Sequence, residues 1–80
     1  MRLDKYLKVS RIIKRRTVAN EACNGERVKV NGRTAKASHD IKPGDVIEIR
    51  FGERVSGYEV QSVAERSAKS DADAMYRILT

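Results

Sequence analysis

Eighty residues with a single cysteine and a net charge of +6 set the bounds. A chain this short makes one small core, burying about 60–65% of the surface that the unfolded chain exposes, and Cys23 alone cannot close an intrachain disulfide, so the expected compartment is the reducing cytoplasm. No stretch approaches the roughly 18 apolar residues of a membrane span, and Met1-Arg2 leads into charge rather than into the apolar run of a signal peptide, so neither a spanning nor a secreted protein is expected.

The charge is concentrated at one end. Residues 1–16 carry Arg2, Lys5, Lys8, Arg11, Lys14, Arg15 and Arg16 against Asp4 alone, whereas residues 17–80 hold ten basic and ten acidic side chains. A cationic field confined to one part of a compact domain attracts phosphate polymers and speeds their encounter; scattered charge would mainly confer solubility.

On a helical wheel, residues 2–13 place Leu3, Tyr6, Leu7, Val9, Ser10 and Ile13 on one side and Lys5, Lys8 and Arg11 on the other, which predicts an amphipathic helix. A disordered basic arm has no reason for that spacing. A membrane-surface helix fits poorly, since the stripe holds one aromatic and the following domain needs it for a core. Ile12 falls off the stripe. Thr17 then reads as the N-cap of a second helix over about 17–24, with Glu21 near its start and Asn24-Gly25 closing it. Cys23 lies in that helix beside Ala19 and Ala22, as a buried inert thiol would. Lys14-Arg15-Arg16 fall in the connection, ending at a helix start where backbone N–H groups also favour an anion.

"ERVKVNGRTAK" alternates Val28 and Val30 with Arg27 and Lys29 and then offers Asn31-Gly32, the favoured pair for a type I′ hairpin with a short return. Pro43-Gly44 suits a type II turn, after which Ile47, Ile49 and Phe51 face one way and Glu48 and Arg50 the other. A further strand is expected from about Arg54 to Val63. "SAKSDAD" reads as polar linker, and Ser70 with Asp73 three residues on can cap a short terminal helix, with a strand as the alternative. The whole is an α+β domain, two short helices packed on a small, mostly antiparallel sheet, divided as a domain over 1–65 and a linker and tail over 66–80. Leu3, Leu7, Ile13, Val18, Ala19, Ala22, Val28, Val30, Ile41, Val46, Ile47, Ile49 and Val60 are assigned to the core, with Tyr6 and Phe51.

Chemistry-bearing residues are sparse. His39 stands beside Asp40 in a loop; Asp45 and Glu48 lie in or near a turn; one Cys and one His make no metal-ligand pair. No catalytic residue, metal or cofactor is therefore assigned. A helix-turn-helix DNA reader would carry base-reading side chains on its second helix, where "TVANEACN" offers Asn20, Glu21 and Asn24 but no Arg or Lys. The neutral sheet half and the tail leave a protein-docking module as an alternative.

"RLDKYL", the Arg16-Thr17-x-Ala19 helix start, "NGERVKVNGR", "KAS" and "KPGDVIEI" recur in order at spacings that resemble the S4 RNA-binding domain. That family is also found in heat-shock-fifteen-type ribosome-binding proteins, pseudouridine synthases and tyrosyl-tRNA synthetases. The resemblance covers about residues 2–50. It implies an αL motif presenting a basic face to structured RNA, with Arg2 and Arg16 at the positions of the family's RNA-contacting arginines. Lys36 and Ser38 align with a Lys-Pro-Ser stretch in which Ala37 replaces Pro, and Arg15 stands where Ser or Thr is common.

Length and opening are most similar to the small stand-alone members that serve ribosome-associated quality control. The similarity implies binding to large-subunit rRNA and tRNA on obstructed large ribosomal subunits carrying peptidyl-tRNA. It also implies support for a partner elongation factor that adds a C-terminal alanine tail. A monomer is expected. A heat-shock-fifteen-like recycling role on large subunits is the neighbouring reading.

The expected RNA-binding residues are thus Arg2, Lys5, Lys8, Arg11, Lys14, Arg15, Arg16, Thr17 and Lys36. The arginines can bridge two phosphate oxygens, and the lysines add less directional charge. Neutralising about four to six phosphates gives an expected slope of log affinity against log salt of roughly −3 to −5.

Overall fold

A computed structural model describes residues 1–63 and 75–79. Helix α1 (Leu3–Val9) forms where Leu3, Tyr6 and Leu7 fall at i, i+3 and i+4, and all three are fully buried. Each such side chain stabilises the fold by about 1.5–3 kcal/mol relative to exposure. No side chain caps α1. Its first amides instead donate to loop carbonyls, Leu3 N–H to His39 at 2.8 Å and Asp4 N–H to Ala37 at 3.2 Å.

The helix is shorter than the periodicity predicts, because Arg11 takes φ +64° and turns the chain back. The Ile13 amide then reaches the Leu7 carbonyl at 3.0 Å, which drives Ile13 into the core, and Ile12, unexplained by the wheel, packs half-buried against it.

Helix α2 (Arg16–Asn24) starts a residue earlier than expected. Arg15, extended at φ −119°, holds the N-cap position without a capping side chain, so Thr17 lies inside the first turn and is no cap. Ala19, Ala22 and Cys23 face the core; Val18, expected there, is 43% exposed. The left-handed residue after α2 is Glu26, at φ +62°, rather than Gly25.

Five strands follow, β1 (Val28–Val30), β2 (Arg33–Thr34), β3 (Val46–Phe51), β4 (Arg54–Val60) and β5 (Tyr76–Ile78), in one antiparallel sheet of order β2-β1-β3-β4-β5. Asn31 and Gly32 both take positive φ, +53° and +82°, as a type I′ turn requires. Gly44 at φ +94°, with the Asp45 amide on the Lys42 carbonyl at 3.1 Å, makes the expected type II turn.

Cross-strand register puts Val28 opposite Ile49 and Val30 opposite Ile47 on the buried face. Phe51 lies beyond the last of these contacts at the β3–β4 tip and is 47% exposed, so it is not a core residue; Val46 is half-buried. Among the described residues, the buried apolar side chains absent from the predicted core are Ala35, Ala37 and Met75.

Strand β4 stops at Val60, short of the expected Val63. The expected terminal helix is corrected over residues 76–78, which pair with β4 as Tyr58↔Ile78 and Val60↔Tyr76; its proposed cap at Ser70 and Asp73 lies outside the described residues. Residues 76–78, within the segment 66–80 read as linker and tail, form a strand of the same sheet. The Tyr6 hydroxyl donates to the Met75 carbonyl at 2.6 Å, and Tyr58 meets Tyr76 edge to face at 5.4 Å. Among the described residues no helix is long and apolar enough to cross a membrane.

Candidate RNA-binding site

The residues flanking the two helix starts meet around Asp4. Lying in the first turn of α1 with its side chain 3% exposed, Asp4 accepts from its neighbour's amide, Lys5 N–H, at 2.8 Å. Arg2 reaches it with Nε at 3.2 Å and Nη2 at 3.4 Å, Arg16 with Nε at 3.4 Å, and Asn20 with Nδ2 at 3.3 Å. Asn20 is itself held by Asn24, whose Nδ2 donates to its Oδ1 at 2.9 Å. Four residues spread over both helices are thereby tied to one carboxylate. Burial by itself would raise the Asp4 pKa; the bonds from Asn20 and the Lys5 amide, together with the Arg16 charge, outweigh it and hold the carboxyl below its ordinary value.

About half of each arginine side chain stays in solvent, 51% for Arg2 and 48% for Arg16. A guanidinium has five N–H donors and only one or two are spent on Asp4, so both retain donors for an incoming anion. With Thr17 and Glu21 these residues line an open depression of about 470 Å³.

The backbone of Met1 and Arg2 is tied to the loop before Ile41. The Met1 ammonium pairs with Asp40 at 2.8 Å, Arg2 bridges Asp40 as an isolated β-pair, and the Ile41 amide donates to the Met1 carbonyl at 2.8 Å. Arg2 is thus held on its backbone side as well as by its side chain.

The structure brings together Arg2, Arg16 and Thr17 of the predicted site. The others do not line it. Lys5 and Lys8 follow Arg2 at three-residue steps along α1, with Lys8 exposed in the last turn; Arg11 sits exposed at the left-handed turn, Lys14 and Arg15 are exposed in the connection, and Lys36 is exposed on the loop, one residue before the Ala37 carbonyl that receives Asp4 N–H.

Asp4, Asn20 and Glu21 escape the sequence reading as site residues. On the wheel Asp4 falls on the charged side, between Lys8 and Arg11, so periodicity carries no signal of its burial. Chemically, the guanidinium donors left over from Asp4 can hold an anion. Cys23 is buried with its thiol pushed up to about 11, mainly by burial, and among the described residues no three His, Cys, Asp or Glu side chains cluster as metal ligands.

Two helices and a hairpin, with Arg2 and Arg16 brought to one depression at the helix starts, define an S4-type RNA-binding module, and the chain belongs to the S4 domain family, whose model matches residues 1–47. Its likeness to particular members extends over the whole length. The chain is 54% identical over 80 residues to the RQC P-site tRNA stabilizing factor of Streptococcus pneumoniae, spanning 100% of this chain and 91% of that one. It is 49% identical over 79 residues to the factor of that name from Bacillus subtilis, spanning 99% and 92%. Among solved structures, the trimeric heat shock protein 15 of Vibrio cholerae superposes with a TM-score of 0.86 at 30% identity, over 98% of this chain and 80% of that one.

Proposed function

We propose that this chain is a non-enzymatic RNA-binding protein of ribosome-associated quality control. It grips the backbone of P-site tRNA and of large-subunit rRNA on obstructed subunits that carry peptidyl-tRNA, as a cytoplasmic monomer. In that position it supports a partner elongation factor that adds C-terminal alanine. The observation that carries the RNA-binding part is the convergence of Arg2 and Arg16, one ahead of each helix's first apolar turn, on the buried Asp4 carboxylate. Which RNA is bound is supported by near-full-length identity to proteins named for stabilizing P-site tRNA.

The arginine pair acts by fixed geometry, presenting guanidinium donors whose orientation is set before the phosphates arrive, while Lys5, Lys8, Arg11, Lys14, Arg15 and Lys36 add surrounding charge. The test is co-sedimentation with purified large subunits carrying peptidyl-tRNA. Arg2→Ala with Arg16→Ala abolishes pelleting while the circular dichroism spectrum stays that of the parent chain; a double variant that still pellets overturns the assignment.

The likeness to heat shock protein 15 supports a second reading, in which the chain recycles large subunits without assisting tail synthesis. Alanine addition by the partner factor that proceeds equally well with and without the chain favours that reading.

A further inference from the structure

The depression around Asp4 contains one group that gripping phosphate does not use. Of its two acids, Asp4 is buried and committed to Arg2, Arg16 and Asn20, whereas Glu21 is exposed and lines the opening. Among the described residues, no ion pair or hydrogen bond engages the Glu21 carboxylate. Beside an incoming phosphate such a group lowers affinity, unless the ligand brings a donor to meet it.

Helix α2 sets the two kinds of group on neighbouring ridges. Arg16, Asn20 and Asn24 follow one another at four-residue steps and form the ridge tied to Asp4, Asn20 donating to the carboxylate at 3.3 Å and Asn24 to Asn20 at 2.9 Å. Thr17 and Glu21, also four residues apart, form the next ridge and are open to solvent. Glu21 lies five residues beyond Arg16, so its backbone stands about 7–8 Å further along the helix axis. The Gly25 amide, donating to the Glu21 carbonyl at 2.8 Å, keeps that turn closed.

Donors and acceptors are thereby separated across one opening. Guanidiniums only donate and match phosphate oxygens; a carboxylate only accepts and repels them. RNA carries a donor on the sugar beside each phosphate, the ribose 2′-hydroxyl, which the wide minor groove of a folded stem displays and which DNA lacks. Base amines donate too, but only where the sequence supplies one, whereas the hydroxyl accompanies every phosphate that the arginines could hold. We infer that Glu21 accepts a hydrogen bond from the 2′-hydroxyl next to the phosphate held by Arg2 and Arg16, and so selects ribose over deoxyribose. The inference rests on the RNA-binding function proposed above.

The test uses the full-length chain and one structured large-subunit rRNA fragment prepared twice, with ribose and with 2′-fluororibose. The fluorinated form keeps the phosphates, the bases and the A-form shape but has no 2′ donor. By fluorescence anisotropy the parent chain binds the ribose form about fivefold more tightly, as a hydrogen bond to a charged group at a solvated edge provides. Glu21→Ala reduces that preference to less than about twofold and binds the fluorinated form more tightly than the parent does, because no carboxylate faces the phosphates unmatched. Glu21→Gln, whose amide oxygen still accepts, keeps a larger preference than Glu21→Ala. A parent chain that binds both forms equally, or a preference that survives intact in Glu21→Ala, overturns the role of Glu21 and leaves the RNA-binding proposal standing. A parent chain that binds the ribose form no better than the Arg2→Ala, Arg16→Ala variant overturns both.

Discussion

Replacing Asp4 by Asn tests whether the arginine cradle is organised by that carboxylate or merely near it. The substituted amide keeps the shape and, through its oxygen, the bond from Lys5 N–H, but turns an NH2 group toward Asn20 and the guanidiniums, setting donors against donors. The lost Asn20 bond to a charged acceptor is worth about 1.5 kcal/mol. Arg2 and Arg16 are half exposed, so solvent screening limits each of their ion pairs to about 0.2–1 kcal/mol. The sum, about 2–3 kcal/mol, lowers the melting temperature of a domain this size by roughly 10–20 °C.

Two opposing effects act on RNA affinity. Removing the buried negative charge favours phosphate by less than about 1 kcal/mol, because the phosphate itself sits in solvent beyond the guanidiniums. Releasing two arginine side chains costs about 0.5–1.5 kcal/mol each when they must be ordered again on binding. The second effect wins by about 1 kcal/mol, so affinity for a structured rRNA fragment falls about fivefold. Thermal unfolding by circular dichroism and fluorescence anisotropy measured well below the melting point separate the two outcomes. An Asp4→Asn protein that binds RNA as tightly as the parent, or more tightly, refutes the organising role.

The same carboxyl makes a pH-dependent contribution. Its folded pKa lies below the ordinary 3.8, so the stabilisation is complete above that value and is lost as pH falls through the folded pKa. Acid unfolding followed by circular dichroism therefore lacks this component in Asp4→Asn. Tyr6→Phe removes the 2.6 Å bond to the Met75 carbonyl, but that oxygen keeps the Gln61 amide at 2.7 Å, so the cost stays near 1 kcal/mol and appears as a loss of about 4–8 °C in melting temperature. Gly32→Ala meets no atom within 4 Å yet must hold φ +82°, and denaturant titration should show it less stable by about 1 kcal/mol. Cys23, buried and with its thiol at about 11, reacts with a disulfide reagent at pH 8 only as fast as the chain opens; immediate labelling of native protein contradicts its placement.

Where local chemistry decides the backbone, the sequence was legible. Asn31-Gly32 and Pro43-Gly44 have few alternatives to the turns they make, and alternation around Ile47 and Ile49 fixes which face of β3 is buried. The helix termini were less so, since Arg11 adopts a left-handed conformation that its side chain does not announce, and α1 is capped by carbonyls of a loop more than thirty residues away. "MYRIL" is short and apolar enough for either helix or strand, and pairing with β4 settles it. For the site, positive charge identified the end of the molecule but not its centre. Net charge counts Asp4 as a small deduction from the basic total, whereas burial and its several donors make it the group around which the arginines are arranged.

Because both guanidiniums hang from the same carboxylate, neither can swing without disturbing the other, and their spacing becomes a property of how α1 crosses α2. They behave as the jaws of a caliper locked at one width. On the proposed role, a folded stem whose backbone already matches that gap is gripped at no cost in rearrangement, whereas a loose strand must first be bent to the gauge.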